Sequence, residues 1–200
     1  MMVSEVTVTT LQLPASFTTA QAAEHGVPRW RLYELRDEGL VVSLSRGVWR
    51  LADAPPTAHE SLLAASLRAP RGIVCLVSAL SFHDLTDEIP SAVDLAVARG
   101  HNRPHINDPP VHVHVFDADT FDLGREHHEV APGETVPIYN EVRSVIDAIR
   151  LRHQVGSDVA FRAAKTLVGR RRSAVKELVE VGTAMRCPGP VHELLEVVLA

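Results

Sequence analysis

One stretch decides the fold of the first quarter of the chain. Residues 17–51 read FTTAQAAEHGVPRWRLYELRDEGLVVSLSRGVWRL. The first ten residues of this stretch predict a short helix, because Thr18 can serve as its N-cap and Gly26 suits the left-handed residue that ends a helix. Residues 1–14 carry no comparable pattern and are expected to form a short arm.

A second helix is predicted over residues 28–38. Pro28 favours the first position of a helix, and Gly39 suits its end. Leu32 and Leu35 are three residues apart and therefore share one face, which we expect to be buried. The short interval between the two helices indicates a helix-turn-helix.

A β-hairpin is predicted directly after the second helix. Residues 40–43 and 48–51 form two short apolar strands, and Ser45-Arg46-Gly47 forms the tip between them. Two helices followed by a hairpin with a basic tip are the layout of a winged helix-turn-helix. We place this predicted DNA-binding domain in residues 1–53.

The second helix carries side chains suited to DNA. In a helix-turn-helix this helix enters the major groove, where arginine binds guanine or a phosphate. An arginine at the tip of the hairpin is suited to a phosphate or to the minor groove. The predicted DNA-contacting residues are Arg29, Trp30, Arg31, Tyr33, Arg36 and Arg46.

Charge leaves a second interpretation open. Residues 1–53 contain five basic and six acidic residues, so their simple electrostatic attraction to DNA is weak. Glu34, Asp37 and Glu38 lie in the same helix as the arginines, which also fits a small protein-interaction module. If the partner is DNA, we expect a homodimer or cooperative binding to repeated sites.

The remainder of the chain, residues 54–200, predicts a second domain. Ala54-Pro55-Pro56 is typical of a linker. Residues 73–84 are apolar and are interpreted as a helix or a helix–strand segment. The patterns predict a mixed β-sheet over about residues 90–139 and a C-terminal helical bundle over about 140–200. The whole protein is therefore expected to be α+β.

Composition narrows the class of protein further. The net charge of −5 argues against a general nucleic-acid coat. No run approaches 18 uninterrupted apolar residues and no secretory signal is visible, so no membrane partner is expected. Cys75 and Cys187 stand alone, which favours two small buried thiols in a reducing cytoplasm over a disulfide.

Histidines are concentrated between residues 54 and 139, which hold five basic and twelve acidic residues. His112 and His114 alternate with valines on one predicted strand, and such a pair can bind zinc. This keeps open a metal-dependent hydrolase or nuclease. The alternative is that the two histidines simply form a polar face of the sheet. This alternative is favoured because no motif of metalloprotease, hydrolase or nucleotide-binding type accompanies the pair. No catalytic residue, metal or cofactor is therefore assigned, and a non-enzyme is expected.

A basic run lies between two predicted helices near the C-terminus. Arg170, Arg171 and Arg172 follow one another within residues 140–200, which have ten basic and seven acidic residues. They form a possible contact patch for DNA phosphate, RNA or an acidic partner. The alternative is a solvated corner between two helices, which is the commoner role of such a run.

Several stretches together resemble the AbiEi family of antitoxins, in their actinobacterial form. Phe17 to Leu51 resembles the family's N-terminal winged domain, and Ser78 to Pro90 its central motif. The resembling segments that follow are Ala96–Gly100, Tyr139–Ala148 and Gly156–Ala160. The resemblance covers nearly the whole chain in the family's order.

The resemblance implies an antitoxin of a type IV toxin–antitoxin pair. Such a protein binds inverted repeats in its own promoter, represses that operon and neutralises a nucleotidyltransferase-like toxin. The family implies no enzymatic activity and carries over only the winged-helix positions Arg29, Arg31, Arg36 and Arg46. A winged-helix regulator without a toxin partner remains the alternative within this class.

Overall fold

The computed structural model describes residues 13–200, so part of the predicted N-terminal arm, residues 1–12, lies outside the described residues. The winged part is built on a three-stranded antiparallel sheet in the order β1-β3-β2. Its elements are β1 (Ser16–Thr18), α1 (Thr19–Glu24), α2 (Arg29–Asp37), β2 (Val41–Ser45) and β3 (Val48–Leu51).

Local chemistry explains where the two helices of this part begin. Thr18 caps α1, with Gln21 completing a capping box. Pro28 has an extended ψ of 157° and is itself the N-cap of α2, so the helix begins at Arg29, one residue later than predicted. Strand β1 was not predicted, because three residues before a helix carry too short a pattern. It pairs with β3 through Phe17 opposite Trp49.

A second, five-stranded sheet runs in the order β6-β5-β4-β8-β7. It is mixed, since β5 and β6 are parallel, as are β4 and β8, whereas the other two pairs are antiparallel. The predicted α+β fold class is confirmed. The strands are β4 (Ile73–Val74), β5 (Val93–Ala98), β6 (Val111–Phe116), β7 (Arg125–Ala131) and β8 (Glu134–Tyr139).

Helices cover this sheet and form the C-terminal bundle. The segment 73–84 divides into β4 and a helix, so the strand is the first of the sheet and precedes the predicted start near residue 90. The helices are α3 (Glu60–Arg68), α4 (Leu76–Phe82), α5 (Glu141–Arg150), α6 (Arg152–Val155), α7 (Ser157–Arg170), α8 (Ala174–Ala184) and α9 (Pro188–Leu199).

Helix α5 is the centre of the bundle. Its residues Val142 to Ile149 are all buried, and the apolar ones among them join one hydrophobic cluster with α4, α7, α8 and α9. The same helix holds a fully buried ion pair, in which Arg143 Nε donates to Asp147 Oδ2 at 2.8 Å. Arg150 Nη2 donates to the second oxygen of Asp147, also at 2.8 Å.

A buried polar junction joins the winged part to the five-stranded sheet. Arg50 on β3 is 3% exposed, donates to Ser16 Oγ at 2.6 Å and forms an ion pair with Glu134 at the start of β8. Its Nη2 also donates to the carbonyl of Pro55 at 2.6 Å. Because one guanidinium satisfies three partners from different segments, the junction fixes the orientation of the hairpin on the rest of the chain.

Candidate nucleic-acid interface

The second helix of the winged part exposes one face and buries the other. Leu32 and Leu35 are fully buried, as the three-residue spacing predicted, and pack with Phe17, Val27 and Trp49. Trp30 on the opposite side is 63% exposed. Tryptophan is enriched at binding interfaces, because a partner that covers its large ring removes much apolar surface from water.

Tyr33 has a structural role in addition to its partial exposure. Its ring packs edge-on against Trp49, with centroids 5.6 Å apart. Arg29 Nη2 donates to Tyr33 Oη at 3.0 Å, and the Arg36 guanidinium lies 5.2 Å from the centre of the Tyr33 ring. Tyr33 therefore holds two of the predicted DNA-contacting arginines against the helix surface.

Acidic side chains on α2 and at its C-terminal end form ion pairs with Arg31 and Arg36. Arg31 Nη1 lies 2.8 Å from Glu38 Oε1 and 3.0 Å from Glu34 Oε2. Hydrogen bonds from Arg31 to Glu38 and then to Glu34 raise the pKa of its guanidinium. Arg36 pairs with Asp37 at 2.7 Å. Any phosphate or base that approaches α2 must compete with these carboxylates for both arginines.

The tip of the hairpin carries the remaining predicted contact residue. Arg46 is exposed and makes no side-chain hydrogen bond or ion pair to any residue from 13 to 200. Its neighbours are fixed, because the Gly47 carbonyl accepts from Thr19 N at 2.9 Å and Ser45 Oγ donates to the carbonyl of Asp108. Gly47 has a φ of +79°, which suits glycine at a tight turn. A rigid base thus presents an uncompensated guanidinium.

The geometry separates two kinds of contact. Trp30 and Glu34 lie on the exposed side of α2 and the half-buried Arg31 lies at its edge, whereas Arg46 lies at the far end of the hairpin. Such an arrangement can place a helix against one groove of a duplex and a cation against the neighbouring backbone.

The basic run near the C-terminus is mostly bound within the protein. Arg170 donates to the carbonyls of His83 and Asp84, at 2.9 and 2.6 Å. Arg171 pairs with Glu177 at 2.6 Å and with Glu141 at 3.4 Å. Arg172 is exposed and has no such partner between residues 13 and 200. Two of the three arginines therefore connect α7 to its neighbours, and the contact patch stays a prediction.

Two histidines of the predicted strand face a carboxylate. Parallel pairing of β5 with β6 places Asp94 opposite His112. His114 Nε2 lies 2.8 Å from Asp94 Oδ1, and His112 Nδ1 lies 3.8 Å from the same oxygen. Within residues 13–200, no group of three His, Cys, Asp or Glu side chains is placed to hold a metal ion.

A second group of histidines lies against the end of α4. Phe82 packs with His59, His83 and His128, with ring centroids 5.1 to 5.3 Å apart. His83 Nε2 also lies 2.8 Å from the carbonyl of Tyr139. Burial lowers the pKa of His128, with a further lowering from the neighbouring His83 that Glu126 opposes. These histidines pack the sheet to α4.

Sequence reasoning missed the polar junction around Arg50. An arginine within the apolar strand Val48-Trp49-Arg50-Leu51 was the available signal, since a buried strand rarely contains a charge without a partner. The partner, Glu134, lies 84 residues away and has no local signal.

None of the helices within residues 13–200 is long and apolar enough to cross a membrane.

The fold and the exposed helix define a class of protein, a winged helix-turn-helix protein with an attached α+β part. Residues 17–52 match the family described as "Transcriptional regulator, AbiEi antitoxin". The predicted resemblance to AbiEi antitoxins is thereby confirmed for residues 17–52.

The remaining comparisons concern the fold. The chain is similar to the crystal structure of the RV2827C protein from Mycobacterium tuberculosis, with 18% identity and a TM-score of 0.50. The similarity covers 92% of this chain and 76% of that chain, so it includes both sheets and not the winged region alone. No curated protein matches the chain.

Proposed function

We propose that this chain is a cytoplasmic antitoxin that binds operator DNA through residues 1–53 and represses its own operon. The observation that carries the proposal is the winged helix-turn-helix, in which α2 exposes Trp30 and the tip presents Arg46. The family of residues 17–52 supports the same class of function. In this proposal the chain acts by binding and not by catalysis.

In the complex, α2 enters the major groove of an inverted repeat. Arg29, Trp30 and Tyr33 contact the duplex, and Arg31 and Arg36 exchange their carboxylate partners for DNA. Arg46 binds a phosphate beside the neighbouring groove. Because residues 1–53 are almost neutral, a homodimer or cooperative binding on the two half-sites supplies the affinity that one copy lacks.

The test of operator binding is an anisotropy titration of the full chain with its own upstream DNA, at two salt concentrations. Specific binding that weakens with salt supports the proposal. Arg46→Ala should weaken binding and reduce the slope of log Kd against log salt by about one, as the loss of one phosphate contact does. Arg186→Ala, which removes an exposed arginine elsewhere, is the matched control. Binding that is absent at low salt, or unrelated to sequence, would contradict the proposal.

We further propose that residues 54–200 form the domain that neutralises a nucleotidyltransferase-like toxin. The resemblance of the later segments to AbiEi antitoxins supports this role. The test is co-expression with a nucleotidyltransferase encoded beside this chain, with growth as the readout. Rescue by residues 54–200 or by the Arg46→Ala variant supports separate domains. Operator binding without rescue would instead favour a regulator that has no toxin partner.

A further inference from the structure

Residues 54–139 are the most acidic part of the chain, and most of their arginines lie at or beside one cavity. Residues 54–139 contain twelve acidic residues, five arginines and no lysine. One of these arginines, Arg68, donates to Ser45 Oγ at the tip of the hairpin. The other four either line one cavity or belong to the loop that closes it. They are Arg71, Arg99, Arg103 and Arg125.

This cavity lies beyond the carboxyl ends of the parallel strands β5 and β6. Its volume is about 580 Å³, and its polar lining residues are Arg71, His101, Asn102, Asp122 and Arg125. The loop over residues 99–105 closes one side and contains two arginines, two histidines and no acidic residue. In open sheets, small ligands commonly bind outside the carboxyl ends of parallel strands, in cavities of about 300–1,000 Å³.

The arginines of the cavity are available to a ligand. Arg71 makes no side-chain hydrogen bond or ion pair to another residue within 13–200. Arg125 Nη1 lies 3.2 Å from Asp122 Oδ1, where the aspartate side chain is 75% exposed. Such an exposed pair is held weakly, so a doubly charged anion can displace the carboxylate. Two guanidinium groups are well suited to a phosphate, because each can donate two parallel hydrogen bonds.

The floor of the cavity is apolar. Val97 and Ala98 at the end of β5 line it, together with Phe121 after β6. Phe121 is held in place, since its carbonyl accepts from the buried hydroxyl of Tyr139 at 2.6 Å. A free phosphate would leave this floor uncovered, whereas a phosphate joined to a planar ring would cover it.

We infer that this cavity binds a nucleoside phosphate, with Arg71 and Arg125 on the phosphate and the base over Val97, Ala98 and Phe121. The inference stands apart from operator binding, since it uses none of the residues assigned to the DNA. His101 and Asn102 lie in position to donate further hydrogen bonds from the loop.

The test is calorimetric titration of the full chain with ATP, GTP, inorganic phosphate and adenosine. At least one nucleotide should bind more tightly than both inorganic phosphate and adenosine, because it alone uses the arginines and the floor together. Arg71→Gln and Arg125→Gln should each weaken nucleotide binding roughly tenfold, the loss expected for one charge-assisted contact. Arg162→Gln, which changes an exposed arginine on α7, is the control and should bind as the unsubstituted chain does.

Three results would overturn the inference. The first is an absence of binding for both nucleotides. The second is equal affinity for inorganic phosphate and nucleotide, which would indicate a simple anion site. The third is nucleotide binding that both glutamine variants retain, which would place the ligand elsewhere. Operator affinity, measured on the same variants, should stay unchanged, and its loss would identify the arginines as DNA contacts.

Discussion

Arginine occupies two different environments in this chain, the face of α2 and buried positions on β3 and α5. On α2, Arg31 and Arg36 pair with carboxylates that solvent surrounds. Arg50 and Arg143 are instead almost fully buried, and each satisfies several partners. Exposed pairs contribute little to stability and can exchange partners, whereas breaking a buried pair leaves an uncompensated charge. We therefore assign DNA recognition to the arginines on α2, and stabilisation of the fold to the buried Arg50 and Arg143.

The largest effect is expected from Arg143→Leu. The substitution leaves Asp147 buried with Arg150 as its remaining charged partner, and it removes donors to the carbonyls of Thr120 and Leu123. We expect a loss of about 3–5 kcal/mol in the free energy of unfolding, measured by urea denaturation. Arg143→Leu combined with Asp147→Leu should lose less than the single variant. An equal or larger loss in the double variant would show that packing and not charge explains the result.

A smaller loss is expected at the junction from Arg50→Met. Glu134 lies nearer the surface than Asp147, with 10% of its side chain exposed, so water can partly solvate the carboxylate left behind. We expect a loss of about 2–3 kcal/mol in the free energy of unfolding, below the range for a fully buried pair. Operator affinity should also fall, because the hairpin loses its fixed orientation. Arg31→Ala is the exposed counterpart, and a loss of stability equal to that of Arg50→Met would remove the distinction between the two environments.

The exposed group can be tested by removing its acidic partners. Glu34→Gln with Glu38→Gln frees Arg31 and removes two negative charges from the face of α2. Operator affinity should rise at low salt, and the slope of log Kd against log salt should steepen by about one if Arg31 gains a phosphate. Glu193→Gln with Glu196→Gln removes the same charge from exposed positions on α9 and is the control. If both double variants bind alike, the gain reflects net charge and not Arg31.

Features that depend on local sequence signals could be predicted, whereas contacts between distant residues could not. The two helices of the winged part, its hairpin and the burial of Leu32 and Leu35 follow from local signals, namely caps, glycines and the spacing of apolar residues. The presence of a mixed sheet was predicted. Strand β1 of the winged part and strand β4 of the mixed sheet are only three and two residues long, so neither shows the alternation of apolar and polar residues that predicts a strand. Arg50 with Glu134, and Arg71 with Arg125, are brought together only by the tertiary fold. The DNA contacts assigned to α2 stay a prediction, and the pairing of Arg31 and Arg36 with Glu34, Glu38 and Asp37 depends on side-chain geometry that the sequence does not show.

The smallest effect separates a half-buried histidine, His128, from an exposed one, His105. Burial and the nearby His83 lower the pKa of His128 in the folded chain, so the unfolded chain takes up the proton first. The stability that neutral His128 contributes is therefore present above about pH 6.5 and is lost as the pH falls below it. His128→Gln should reduce the loss of stability between pH 7.5 and 5.5 by less than about 1 kcal/mol, measured by urea denaturation at both values. His105→Gln, in the exposed loop, should leave that loss unchanged. If the two variants behave alike, the pH dependence arises elsewhere, and the histidines around Phe82 act only through packing.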